Sequence, residues 1–169
     1  MVGSHDTAAA ARLTVGVIGL GLIGGSLARR PPVRGVSVVA WNHRPHPYAR
    51  AEADCIFCKC TLSELRDAEP YGVVLCNPLK AMPAILAALA PLMGDHPNTT
   101  LTDVGSVKGM VRAQVKAAGP GKCSVGAPPM AGNELPGWPA AHPHLSDRTL
   151  WAITVPASPD YRRLLDAPP

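Results

Sequence analysis

The stretch TVGVIGLGLIGGSL, residues 14–27, decides the fold of this 169-residue chain. The apolar run from Leu13 to Ile18 is typical of a strand buried on both faces. It leads directly into Gly19-Leu20-Gly21-Leu22-Ile23-Gly24, and then into a helix predicted over Leu22 to Arg30 that two prolines end. A strand, a G-x-G-x-x-G turn and a helix in this order predict the first unit of a dinucleotide-binding fold.

Each glycine of this turn has its own predicted task. Gly19 permits the tight turn, Gly21 lets the backbone approach a pyrophosphate, and Gly24 lets the helix pack closely on the strand. Leu22 and Ile23 begin the helix, whose free backbone N–H groups and positive dipole end favour phosphates. The turn therefore predicts a dinucleotide ligand.

Strands and helices continue to alternate along the chain. The other predicted strands are Val36–Trp41, Cys55–Phe57, Val73–Cys76, Thr100–Val104 and Leu150–Val155. The other predicted helices are Tyr48–Ala53, a segment from a Thr61/Glu64 capping box through Ala68, Ala81–Leu92 and Val107–Ala118. This alternation predicts an α/β, Rossmann-like, doubly wound and mostly parallel sheet. Residues 12–155 are expected to form this domain, between a flexible extension of residues 1–11 and a truncated tail of residues 156–169.

Composition excludes several classes of function. With 47% hydrophobic and 17% charged residues, the chain has the balance of a soluble globular protein. One Phe, three Tyr and three Trp are too few for a module that stacks nucleic-acid bases. The uncharged stretch from Leu13 to Ala28 is shorter than the ~20 residues that a membrane span needs. We therefore expect neither a nucleic acid nor a membrane as a partner.

The cysteines indicate a reducing compartment. Five cysteines without an evident signal peptide favour a cytoplasmic protein over one with a disulfide framework. Cys55, Cys58 and Cys60 lie close together, but a structural zinc site needs four ligands, usually as two separated pairs. We expect no metal.

The end of the second predicted strand bears on which dinucleotide is bound. An Asp or Glu at this point would hold the ribose hydroxyls of NAD. The sequence here is Trp41-Asn42-His43-Arg44, which has no carboxylate. Asn42 can hydrogen-bond a hydroxyl, whereas Arg44 and His43 can meet a 2′-phosphate. The cofactor is predicted to be NADP or NAD, with NADP favoured; a solvated Arg44 in an ordinary loop is the alternative.

Two further polar turns follow predicted strands. Cys76-Asn77-Pro78-Leu79 ends the fourth strand, and Asp103-Val104-Gly105-Ser106 ends the fifth. Ligands of open α/β sheets bind just outside the carboxyl ends of the strands, so both turns are expected to face the cofactor. Ser106 is also a candidate helix N-cap, and the two tasks can coexist.

Four segments together resemble one enzyme family. TVGVIGLGLIGGSL, LCNPL, DVGSVKG and VGAPPMAGNELPGW, in this order and spacing, resemble the prephenate/arogenate dehydrogenase family of tyrosine biosynthesis. The resemblance covers about residues 13 to 155, the nucleotide-binding domain of that family. It implies an oxidoreductase that decarboxylates prephenate or arogenate, a small-molecule substrate, while hydride passes to NAD or NADP.

The resemblance also exposes departures from the family. A family histidine directly before the Pro-Met-Ala-Gly stretch acts as the base on the substrate hydroxyl, and Pro128 occupies that position here. Ser106 matches the family serine beside the reacting end of the substrate and is the remaining catalytic candidate. His142 and His144 are expected to be exposed loop residues. The family's helical domain, which forms its dimer and supplies an arginine for the substrate carboxylates, is expected to be absent from this chain.

The sequence is compatible with three functions. The first is a dehydrogenase of this family that is impaired by Pro128 and truncation. The second is a non-catalytic dinucleotide-binding or interaction module. The third is a β-hydroxyacid dehydrogenase, which would leave the PMAG stretch unexplained.

Overall fold

A computed structural model describes residues 13–30, 36–93, 98–106, 108–118 and 124–154. Its strands are β1 Leu13–Ile18, β2 Val36–Trp41, β3 Phe57–Cys58, β4 Gly72–Leu75, β5 Thr100–Asp103 and β6 Ser124–Gly126. Its helices are α1 Leu22–Ala28, α2 Tyr48–Ala53, α3 Leu62–Asp67, α4 Met82–Met93 and α5 Lys108–Ala118, followed by a 3₁₀ turn at Trp138–Ala140. The predicted extension of residues 1–11 and tail of residues 156–169 lie outside these ranges.

The strands form one parallel sheet in the order β3-β2-β1-β4-β5-β6. β2 and β3 lie on one side of β1, and β4, β5 and β6 follow on its other side. Strand order therefore reverses between β1 and β4, where sheets of this class bind their ligands. The predicted α/β, doubly wound fold is confirmed.

Apolar side chains cover both faces of the sheet. One face meets α3, α4 and α5 through a cluster that includes Ile18, Leu75, Met82, Leu86, Leu101 and Val111. The other face meets α1 and α2 through a second cluster that includes Val17, Leu20, Ala40, Ala51 and Trp138. Neighbouring residues of β1 thus point to opposite faces, and both faces are buried. This burial explains the continuous apolar runs of the strands.

The segment after β6 packs against α1. Trp138 is 2% exposed, and the Arg29 guanidinium lies 4.1 Å from the centre of its ring. Arg29 also donates a 2.6 Å hydrogen bond to the carbonyl of Ala141, 112 positions along the chain. Gly25 makes room for this contact, since a Cβ there would lie 3.0 Å from the tryptophan ring. The proline-rich tract is therefore anchored to the first helix.

Residues 150–154 return antiparallel beside β6. The Met130 N–H donates to the Leu150 carbonyl at 2.8 Å, and the Ala152 N–H donates to the Pro128 carbonyl at 3.0 Å. The only β-bridge among the described residues of this return pairs Pro129 with Trp151. Prolines lack the N–H that a regular ladder needs, so the strand predicted from Leu150 is an irregular return. The three-residue β6 itself was not predicted, and Val155 lies outside the described ranges.

The predicted boundaries of the observed helices and strands agree with the structure or differ from it by one or two residues. The predicted third strand began at Cys55, but this residue has a φ of 62° and belongs to a turn, so β3 begins later. The predicted capping box is confirmed, because the Glu64 N–H donates to the Thr61 hydroxyl while the Glu64 carboxylate accepts from the Thr61 N–H. No helix within the described ranges is long and apolar enough to cross a bilayer.

Candidate functional site

The turns singled out from the sequence lie together at the carboxyl end of the sheet. The strand register pairs Ile18 with both Trp41 and Leu75, Leu75 with Asp103, and Asp103 with Gly126. The turns that follow these five residues therefore leave the sheet at one level. In four of these turns the N–H of the first residue after the strand donates to the carbonyl of the last residue of the neighbouring strand. The strands therefore stay aligned for one residue beyond the sheet.

The three glycines of the first turn have different surroundings. Gly19 has a φ of +101°, and a Cβ there would lie 2.9 Å from the carbonyl oxygen of Cys76. A Cβ on Gly24 would lie 1.9 Å from the carbonyl oxygen of Gly19. A Cβ on Gly21 would meet nothing within 4 Å. Gly19 and Gly24 are therefore required by close backbone approach, whereas the side of Gly21 is open.

The N–H groups that this turn offers begin at Gly21. The first hydrogen bond of α1 runs from the Gly25 N–H to the Gly21 carbonyl at 2.8 Å, so it uses none of the N–H groups of Gly21, Leu22, Ile23 and Gly24. The Leu20 N–H is already bound, because it donates to the side-chain oxygen of Asn42 at 2.8 Å. The first turn of α1 contains no acidic residue that would oppose a bound phosphate.

Both ends of the Asn42 side-chain amide are engaged. Its Oδ1 accepts from Leu20, and its Nδ2 donates to the Arg44 carbonyl at 2.7 Å. Its backbone N–H donates to the Tyr48 hydroxyl at 2.9 Å. Tyr48 was not indicated by the sequence pattern; burial raises the pKa of its hydroxyl, which therefore stays protonated. Asn42, which the sequence predicts to bind a ribose hydroxyl, thus also stabilises the loop to which it belongs.

His43 and Arg44 lie beside this network on the surface. Both residues are exposed, and neither side chain forms a hydrogen bond or an ion pair with another described residue. The Arg44 guanidinium is therefore accessible to an anionic ligand.

Asn77 leaves an acceptor without a partner. Its Nδ2 donates to the Pro78 carbonyl at 3.2 Å and contacts the Met82 sulfur at 3.6 Å. Its Oδ1 is buried and has no partner within the described residues. Leaving a buried polar atom unpaired costs about 1–3 kcal/mol, so a ligand with a donor at this point gains from it. Leu79, half-buried, packs against the core below this turn.

The turn after β5 is shaped by a buried carboxylate. Asp103 is 4% exposed, and its Oδ1 accepts from the Gly105 N–H at 2.9 Å. Ser106 follows directly and is exposed. Burial, with a smaller contribution from the Asp103 carboxylate, raises the pKa of the Cys76 thiol in the adjacent turn. Cys76 is therefore a neutral thiol at the base of the site and no nucleophile.

Pro128 and the histidines His142 and His144 lie in different parts of the structure. Pro128 is buried in the turn after β6, where its carbonyl accepts from Ala152. His142 and His144 are both exposed. The His144 Nδ1 lies 2.8 Å from Asp147, which also pairs with Arg30 beyond the carboxyl end of α1. The His144–Asp147 pair therefore lies on the surface, at the opposite end of α1 from the glycine turn.

The described residues contain no group of three or more His, Cys, Asp or Glu side chains placed to hold a metal ion. The open face of Gly21, the free N–H groups that follow it and the unpaired Asn77 Oδ1 instead suit an organic ligand with phosphate groups.

A family model described as the nucleotide-binding domain of prephenate dehydrogenase matches residues 25–166. The chain belongs to the prephenate dehydrogenase family. The predicted resemblance to this family is thereby confirmed. The expectation of a nucleotide cofactor is confirmed as well, since the matched part of the family is its nucleotide-binding domain.

Individual members of the prephenate dehydrogenase group agree with this assignment. A cyclohexadienyl dehydrogenase of Zymomonas mobilis is 31% identical over 123 residues, which are 71% of this chain and 41% of that protein. The crystal structure of prephenate dehydrogenase from A. aeolicus, in complex with hydroxyphenyl propionate and NAD⁺, is 25% identical with a TM-score of 0.82, covering 93% of this chain and 55% of that one. Synechocystis arogenate dehydrogenase is 27% identical with a TM-score of 0.79, covering 91% and 54%. The chain thus spans about half the length of the relatives that it matches.

Proposed function

We propose that this chain binds a nicotinamide dinucleotide across the carboxyl ends of β1 and β4, with NADP preferred and NAD as the alternative. The single observation that carries the proposal is the glycine turn. Gly19 and Gly24 are packed against each other at the point where strand order reverses, while Gly21 faces open space. That arrangement suits close approach of a pyrophosphate to the backbone.

Different residues around the glycine turn would contact different parts of the dinucleotide. The N–H groups of Gly21, Leu22 and Ile23 would hold the pyrophosphate, and Arg44, with His43, would meet a 2′-phosphate. The Asn42 amide still has one N–H and one acceptor site that its loop does not use, and these would bond the adenosine ribose. Asn77, Pro78, Leu79, Asp103 and Gly105 would line the remaining part of the cofactor, where the unpaired Asn77 Oδ1 can accept a ligand donor.

The proposed reaction is the oxidative decarboxylation of prephenate or arogenate in tyrosine biosynthesis. The bound nicotinamide would accept the hydride. Ser106, exposed beside the cofactor turn, would hydrogen-bond the substrate hydroxyl. Pro128 cannot take up the hydroxyl proton, and loss of a general base costs about 10²–10⁴ in rate. We therefore propose a dehydrogenase that is impaired in turnover, and Pro128 also favours the second candidate function, a non-catalytic dinucleotide-binding module.

Binding and turnover test these proposals separately. We expect isothermal titration calorimetry to detect binding of NADP and, more weakly, of NAD. We expect negligible formation of reduced nicotinamide when prephenate is added. If neither dinucleotide binds at millimolar concentration, the proposed function is wrong; if the unmodified chain turns over prephenate rapidly, the proposed impairment by Pro128 is wrong.

Arg44→Ala is expected to weaken NADP binding by about 10- to 100-fold and to leave NAD binding within about twofold. The reason is that a guanidinium–phosphate contact contributes about 1.5–3 kcal/mol, and only NADP carries the 2′-phosphate. Arg50→Ala is the matched control, because Arg50 is an exposed arginine of α2 and its removal changes the net charge by the same amount. Equal losses for both dinucleotides in Arg44→Ala would contradict a contact with the 2′-phosphate.

The four described cysteines are free thiols. Free thiols persist in reducing compartments, which supports the proposal that the protein works in the cytoplasm.

A further inference from the structure

We infer that Asn42 is a positioning residue that sets the preference for NADP over NAD, by holding the glycine turn with one end of its amide and the backbone of Arg44 with the other. The inference rests on the proposed dinucleotide function. Asn42 is half-buried and directly follows β2, between the two groups that it joins.

The first of the two bonds acts on the turn that any dinucleotide would use. The Leu20 N–H donates to the Asn42 Oδ1 at 2.8 Å, while the Gly19 N–H donates to the Trp41 carbonyl at 2.8 Å. Two successive N–H groups of the glycine turn are thus bound to two successive residues at the end of β2. Leu20 is 2% exposed, so without the Asn42 oxygen its N–H has poor access to water. Loss of this bond loosens the turn for NADP and NAD alike.

The second bond acts on Arg44 alone. The Asn42 Nδ2 donates to the Arg44 carbonyl at 2.7 Å, and the Tyr48 hydroxyl accepts the Asn42 N–H at 2.9 Å. These bonds fix the backbone from which the Arg44 side chain starts. No described residue holds the guanidinium itself, so the backbone position decides where it can reach. This second bond therefore matters only for a ligand that carries a 2′-phosphate.

The chemistry of the side chain separates the two effects. A carboxamide has one acceptor end and one donor end, and only one orientation satisfies both Leu20 and Arg44. Aspartate at the same position keeps an acceptor for the Leu20 N–H but has no donor for the Arg44 carbonyl. Alanine keeps neither bond. The two substitutions therefore share the loss of the Arg44 bond and differ in the bond to Leu20.

Dissociation constants for NADP and NAD, measured by calorimetry on the whole chain, give the test. Asn42→Ala is expected to weaken both dinucleotides and, in addition, to lower the NADP-to-NAD preference about tenfold. In an Arg44→Ala background, Asn42→Ala is expected to weaken both dinucleotides equally and to leave the preference unchanged. Asn42→Asp keeps the acceptor for Leu20 and also offers a carboxylate to the ribose hydroxyls of NAD, so it is expected to bind NAD at least as tightly as the original chain and NADP more weakly.

Several outcomes would overturn the inference. If Asn42→Ala lowers both affinities by the same factor in the original chain, Asn42 supports the fold and does not act on selectivity. If Asn42→Ala changes the preference as much without Arg44 as with it, Asn42 contacts the 2′-phosphate itself. If Asn42→Asp binds NAD as poorly as Asn42→Ala does, the bond to Leu20 does not hold the turn. Binding of neither dinucleotide by the original chain would overturn the proposed function, and this inference with it.

Discussion

Gly24→Ala is expected to lower the free energy of unfolding by about 3 kcal/mol or more and to abolish dinucleotide binding. The new Cβ would lie 1.9 Å from the Gly19 carbonyl oxygen and 2.8 Å from the Cβ of Cys76. Neither neighbour can move away at low energetic cost. Gly19 is held at a φ of +101° and packs so closely on Cys76 that a Cβ on Gly19 would touch the Cys76 carbonyl. The first helix must therefore move away from β1 and β4. Urea denaturation followed by circular dichroism measures the loss.

Gly21→Ala is the matched control from the same turn. Its Cβ would meet nothing within 4 Å, and Gly21 is the N-cap of α1 with φ in the ordinary negative range. We expect its stability to stay within about 1 kcal/mol of the original chain, while its dinucleotide affinity falls about tenfold or more because the methyl group occupies the open face. Equal stability of the two variants would contradict the packing described for Gly24.

Trp138→Ala is expected to cost about 3–5 kcal/mol of stability. Trp138 is 2% exposed, it fills the space left by Gly25, and the Arg29 guanidinium lies over its ring. Its loss removes the anchor that holds the proline-rich tract to α1. A domain is usually stable by about 5–15 kcal/mol, so the variant should unfold at a markedly lower urea concentration. Circular dichroism is the appropriate signal, because tryptophan emission itself changes in this variant.

Trp138→Phe separates packing from hydrogen bonding. The Trp138 Nε1 is buried without a partner within the described residues, so phenylalanine sacrifices no hydrogen bond seen there. It retains an aromatic ring under Arg29 and loses only part of the buried volume. We expect a loss on the order of 1–2 kcal/mol. If the alanine and phenylalanine variants unfold at the same urea concentration, the ring does not anchor the tract.

The parts of the fold that depend on local sequence could be predicted. The bounds of β1, β2 and α2 agree with the sequence prediction, since apolar runs, glycines and prolines act on their immediate neighbours. The register of a parallel sheet then brings the turns after Ile18, Leu75 and Asp103 to one end. No further information was needed to expect those turns together.

The contacts between distant segments could not be predicted in this way. Asn42 bonds to a residue 22 positions earlier, and Arg29 bonds to carbonyl groups 109 and 112 positions later. Neither partner is marked by a local pattern, because Leu20 contributes only its backbone N–H and the carbonyl groups belong to any residue type. The antiparallel direction of residues 150–154 could not be predicted either, because an apolar run in the sequence does not show whether the segment pairs parallel or antiparallel.

The return of residues 150–154 beside β6 bears on how the sheet meets other molecules. A lateral strand with free N–H and C=O groups is a template on which a neighbouring chain can add a strand and start to aggregate. The return occupies those groups at Gly126, Pro128 and Met130. The opposite lateral strand, β3, has only two residues. The groups of β6 are therefore not open to strand addition and β3 is too short to be a good template, which limits edge-to-edge association of a sheet that assembles slowly.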